Sequence, residues 1–113
     1  MAITTTSKNR IRDLIVADIS SAELGTDGTD ASATDTDLGA GVAATNKVPV
    51  ITTGNKTITV THILSTTEGN GNTYKEAGIF MNGDAVLLDR TVYPDTVKTS
   101  AIELTTIDVI RVD

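Results

Sequence analysis

TTEGNGNTYKEAGIFMNGDAVLLDRTV, from Thr66 to Val92, carries two clusters of turn residues flanked by short apolar runs. Glu68 to Asn72 contains Gly-Asn-Gly, and Asn82-Gly83-Asp84 contains the Asn-Gly pair that tolerates positive φ in a two-residue hairpin. The spacing predicts one strand over residues 74–81 and another over residues 85–93. Gly78, inside the first of these, marks a bulge or a close approach of backbone. A meander of this kind specifies architecture and brings no reactive group with it.

Upstream, residues 57–67 alternate sharply. Ile58, Val60, His62 and Leu64 take one face, and Thr57, Thr59 and Thr61 take the other. Residues 42–53, with Val48, Val50 and Thr52 on one parity, are expected to form a strand as well. The last strand spans residues 101–112, but Ile102 and Leu104 differ in parity from Ile107 and Val109. That phase flip predicts a β-bulge near Thr105-Thr106, or a strand buried on both faces where it meets another subunit. Ser7 is the expected N-cap of a short amphipathic helix over residues 8–18, striped by Ile11, Leu14, Ile15 and Ile19. Its basic residues Lys8, Arg10 and Arg12 suit it to docking against an acidic neighbour.

A weak strand at Ala22 to Leu24 is followed by a long loop, Gly25 to Gly41, built from Thr, Asp, Ala, Ser and Gly. Its low apolar content predicts that another subunit orders it. Together these elements make one domain, residues 1–113, mainly β: an antiparallel β-sandwich with one short N-terminal α-helix. The expected core is Ile58, Val60, Leu64, Ile79, Phe80, Val86, Leu88, Ile102 and Leu104.

Composition narrows the function classes. There are 21 Thr among 113 residues and only three aromatics, so the core must be aliphatic and small, and stability borrowed from neighbouring subunits is expected. A net charge of −6 argues against a sequence-independent grip on nucleic acid. No cysteine means no disulfide framework and no thiolate metal site. The opening MAITTTSKNR has no apolar stretch of the signal-peptide kind, and no apolar run approaches the ~18 residues of a spanning helix, so neither secretion nor membrane insertion is expected.

Several elements recur in order in another group of proteins. Thr67, Glu68, Asn70, Gly71 and Thr73 are followed by Glu76, Gly78, Ile79 and Phe80. Then come Leu87, Leu88 and Arg90, and finally Lys98, Thr99 and Ser100. Upstream, Arg10-Ile11-Arg12-Asp13-Leu14 stands in the place of an opening helix, and Thr36-Asp37-Leu38-Gly39 in that of a further short element. This series resembles small tailed-phage proteins of the tail-fibre and tail-collar kind, with the central third most specific. The group's first strand is reduced here to Ala22-Glu23-Leu24-Gly25.

The resemblance implies a virion structural protein without catalytic, cofactor or metal residues. It would sit at the tail, neck or collar, baseplate or fibre attachment, and act as a homo-oligomer beside other virion proteins. A capsid decoration protein is the nearest alternative. A module that binds a host-surface glycan or protein through residues 25–41 or 68–72 is the alternative from another class.

Three residue sets could carry chemistry. His62 shares its face with Ile58, Val60 and Leu64, so a hydrogen-bonded imidazole at the core edge is expected rather than a ligand, since no second His or Cys can join it. Asp27, Asp30, Asp35 and Asp37 offer oxygens to a hard cation, but not at EF-hand spacing, and Asp in turns commonly caps its own backbone. Glu76 is expected to form a cross-strand ion pair with Arg90.

Overall fold

The computed structural model describes residues 1–113. Two three-stranded antiparallel sheets pack face to face, with one helix at the N-terminus. Helix α1 is Thr5–Asp18, and the strands are β1 Ile19–Gly25, β2 Val50–Gly54, β3 Thr57–Leu64, β4 Asn72–Met81, β5 Val86–Lys98 and β6 Leu104–Arg111. The first sheet has the order β1-β4-β5 and the second β2-β3-β6. The expected sandwich is therefore present.

Between the sheets lie two small apolar clusters. Ile58, Val60 and Ile79 form one, joined by the half-buried Ile15, Val16, Ile19, Ile51, Leu88 and Ile110. Leu24, Leu64 and Tyr74 form the other, with Val42, Ala77, Tyr93 and Leu104 against it. Of the expected core, Ile58, Val60, Leu64, Ile79 and Phe80 are buried, and Leu88 and Leu104 are half-buried. Val86 and Ile102 are exposed instead, Val86 as the first residue of β5 and Ile102 in the turn before β6.

The helix starts earlier than expected. Thr4, not Ser7, is the cap, its Oγ1 accepting from the Ser7 N–H at 3.2 Å. Thr4→Ala should lower stability by about 1 kcal/mol, read as a shift in the urea midpoint at unchanged slope. No residue of α1 is fully buried. Asn9 Oδ1 accepts from the Lys56 N–H, and Arg12 donates to the Gly54 carbonyl, so the helix is seated on the β2–β3 turn. That contact already engages one of the three basic residues expected to reach a neighbour.

Three boundaries correct the sequence reading. Residues 42–49 are not strand. They run along the β1 edge through bridges Gly25↔Gly41 and Ala22↔Lys47, make a single 3-10 turn at Ala43–Thr45, and reach Pro49, which has no amide to donate. The β4–β5 turn takes four residues rather than two, with positive φ at Asn82, Gly83 and Asp84. No bulge interrupts β6: its register with β3 is unbroken from Leu64↔Leu104 to Thr57↔Arg111. Leu104, Thr106, Asp108 and Ile110 face inward and half-buried, while Thr105, Ile107 and Val109 face out and are exposed. The phase flip arises because Ile102 lies before the strand and the outer face is itself apolar.

Candidate functional site: a latched loop, an acid pair and an uncharged face

Residues 26–41 cross the outer face of β1-β4-β5, and polar anchors hold them there. Glu76 is fully buried on β4. Its carboxylate accepts the backbone N–H groups of Asp27 (3.0 Å), Gly39 (2.8 Å) and Ala40 (2.8 Å). Arg90, on β5 diagonally across from it, donates to Glu76 Oε1 at 2.9 Å and to Asp35 Oδ2 at 3.2 Å. Its remaining nitrogen donates to the carbonyls of Asp27 and Thr29. Burial alone would raise the Glu76 pKa, but Arg90 and the three amides more than offset it and hold the carboxyl below its ordinary range.

Leu38 is pressed onto Gly78, where a Cβ would come within 2.7 Å of Leu38 Cδ2. The glycine is the close approach its position suggested. The expectation that another subunit orders this loop is thus corrected. The two ion pairs of Arg90, with Glu76 and Asp35, and a set of backbone hydrogen bonds make up for the loop's low apolar content.

The four loop carboxylates do not converge. Asp27 Oδ1 accepts from Thr29 N–H and Oγ1, Asp35 Oδ2 accepts from Ser32 N–H, and Asp37 Oδ1 accepts from Leu38 N–H. No three carboxylate or imidazole groups are placed to hold a metal ion. Asp27, Asp35 and Asp37 are thus backbone-capping aspartates. A hollow of about 330 Å3 lies between the loop and β5, lined by Ala31, Ser32, Asp35 and residues 87–90.

His62 is 3 % exposed, and its Nε2 bonds the Thr45 carbonyl at 2.6 Å. Desolvation pushes its pKa down, so the ring is neutral with the proton on Nε2, and Nδ1 is buried without a partner. His62 is a core-edge imidazole. Thr45, fully buried, is the hub beside it, accepting from Leu24 N–H and donating to the Val42 carbonyl. At the far end, the fully buried Lys98 ties two turns together through Asn70 Oδ1 (2.6 Å) and the Thr99 carbonyl (3.0 Å). Glu68 caps Ser65 and pairs with Lys47 at 2.9 Å, and those bonds bring its pKa down to about 2.

On one side of the sandwich the β1 edge is bridged to Gly41 and Lys47. On the other side, β5 and β6 leave a cleft of about 280 Å3 whose walls include Ala77, Tyr93, Leu104, Thr106 and Asp108. Asp108 also lines a small chamber of about 20 Å3 behind it with His62 and Glu23, room for one water. Desolvation, then a hydrogen bond and repulsion from Asp89 on β5, push the Asp108 pKa up to about 7. Asp108 therefore holds its proton beside Asp89, across the gap between the sheets. Desolvation also raises the Tyr93 phenol to about 12, and its hydroxyl is buried without a partner. Sequence reading missed this pair, because Asp89 and Asp108 are 19 positions apart and only the packing of the two sheets brings them together.

The outer face of β2-β3-β6 is different in kind. The strand registers align Thr52, Thr59 and Val109 in one row, Val50, Thr61 and Ile107 in the next, and Ile63 with Thr105 in the third. None of these carries a charge, and Arg111 joins the face only at its end. Val50 is 59 % exposed, Ile63 37 %, Ile107 63 % and Val109 49 %. Fold and surfaces together define a small antiparallel sandwich with one face covered by its own loop and the other bare. No protein family, curated protein or solved structure matches the chain.

Proposed function

We propose that this chain is a non-enzymatic structural component of a tailed-virus particle that works by self-association and docking. The observation that carries this reading is the bare face of β2-β3-β6, with Val50, Ile63, Ile107 and Val109 exposed in contiguous rows. Contiguous exposed apolar surface usually marks a protein contact. The exposed Ile11 and Leu14 of α1 add a second apolar surface. The placement in a virion rests on the ordered sequence resemblance running from Arg10 to Ser100. The loop at residues 26–41, satisfied by its own sheet, contributes nothing to the argument for self-association.

Imaging of purified particles from a host that encodes the chain tests the proposal. Several symmetric copies, each with the β2-β3-β6 face covered by a neighbour, are expected. A particle without the chain, or one in which every copy leaves that face to solvent, refutes it. Saturable binding of the purified chain to one class of glycan would instead favour a surface-recognition module.

A further inference from the structure

We infer that β6 pairs with β6 of a second copy, antiparallel about a two-fold axis at Ile107, joining two three-stranded sheets into one of six. The inference rests on the self-association reading and adds to it an edge contact, which leaves the bare face free for a further neighbour.

Of the four sheet edges, three are blunted. The β1 edge is occupied by the bridges to Gly41 and Lys47. Strand β5 carries Pro94 and two irregularities in its register with β4. Strand β2 has five residues and begins next to Pro49. Strand β6 has eight residues, no proline, no glycine and an unbroken register. Long, regular, open edges are templates for another strand. The one protective device on β6 is Asp108, an acid pointing inward.

The direction of the free amides follows from one hydrogen bond. Val112 N–H donates to the Lys56 carbonyl at 2.8 Å, so this position faces β3. Antiparallel ladders alternate, so positions 110, 108 and 106 face β3 and positions 111, 109, 107 and 105 face the free edge. A two-fold axis perpendicular to the sheet pairs like parities and leaves the bare faces of both copies on one side.

Side chains select the register. With the axis at Ile107, Arg111 stands opposite Glu103 of the second copy, and the exchange occurs twice. Val109 then faces Thr105, Ile110 faces Leu104, and Asp108 faces Thr106. An axis at Asp108 would set the two inward acids against each other. An axis at Thr106 would place Leu104 against Asp108 and leave Arg111 opposite Ala101. Only the Ile107 register satisfies both charges and separates the acids. The bare faces then merge into one surface of twice the width, uncharged between the two Arg111–Glu103 pairs at its ends.

The chain has no cysteine, so a single introduced thiol reports the register. Paired residues at hydrogen-bonded positions have Cα atoms about 5.5 Å apart, inside the range a disulfide spans. Ile107→Cys should cross-link to a species of twice 11.8 kDa under mild oxidation. Thr105→Cys and Val109→Cys alone should not, since each would lie four residues, about 13 Å, from its own copy. The two combined should cross-link. Light scattering should give the dimer mass for the unmodified chain and the monomer mass for Ile107→Pro, which removes only an outward-facing donor. Arg111→Glu should also give monomer, and adding Glu103→Arg should restore the dimer. A mass above monomer that survives Ile107→Pro, with no cross-link at Ile107→Cys, overturns the edge pairing and leaves self-association standing. A chain that stays monomeric and uncross-linked up to about 1 mM, the weak limit of specific association, overturns both.

Discussion

Glu76→Ala should lower the free energy of unfolding by about 3–5 kcal/mol, the cost of removing one partner from a buried charged pair. The loss has three sources. Arg90, with a side chain only 5 % exposed, keeps its charge but loses its closest acceptor. The amides of Asp27, Gly39 and Ala40 lose theirs. Leu38 is then free to leave Gly78. Urea unfolding measures the loss, and hydrogen exchange over residues 26–41 should show the loop opening in the same variant. An unchanged midpoint with an unchanged exchange pattern would mean that something other than Glu76 holds the loop. Glu76→Gln, which keeps an oxygen for the amides, should cost less. Acid should act on the same latch. The folded-state pKa of Glu76 lies below the ordinary 4.5, so its contribution is complete above about that pH and disappears as the pH falls through the depressed value.

Asp108→Asn should stabilise the protein at pH 8 by about 1–2 kcal/mol and flatten the pH dependence below it. The sign follows from linkage. Asp108 has a folded-state pKa of about 7 against an ordinary 3.8, so the folded state binds the proton more tightly than the unfolded chain does. Stability from this group is therefore greatest below about pH 4 and declines as the pH rises toward 7, where Asp108 takes on its charge. The expected size is below the full 1.36 kcal/mol per pKa unit, because the pair borders an open cleft where solvent screens it. Asparagine keeps the shape and donates to Asp89 permanently, as the protonated acid does. Thermal unfolding of both proteins from pH 4 to 8 checks this. A wild-type chain that gains stability steadily across that range, in parallel with the variant, would rule out the raised Asp108 pKa.

Much of the sandwich was legible in the chain because alternation reports burial directly. Ile58, Val60, His62 and Leu64 fall on the inner face of β3 as their spacing predicts, and the Glu76–Arg90 pair could be read from two adjacent strands. What escaped depends on contacts far apart in sequence. Apolar content predicted the loop badly, since hydrogen bonds to one buried carboxylate do not register as hydrophobicity. Thr45 and Lys98 look like surface residues and are fully buried, each because backbone carbonyls lie within reach. Residues 42–48 looked like a strand because valines recur there, yet Val48 is 77 % exposed and the segment is a crossover. In β6 the outward Ile107 and Val109 obscured the period, since alternation marks a strand only when one of its faces is wet and polar.

The latch also orders events in time. The charged anchors of the loop lie 36 to 63 positions further on, at Glu76 and Arg90. During synthesis, residues 26–41 leave the ribosome well before β4 and β5 exist. The segment stays open until the β4–β5 hairpin has formed, so the chain is finished from its later half backward. A nascent chain stopped before residue 90 should be cut by protease within this loop, and one extended past β6 should resist. The vulnerable interval scales with the speed of translation between those two points, which makes slow decoding of residues 42–90 a hazard specific to this protein.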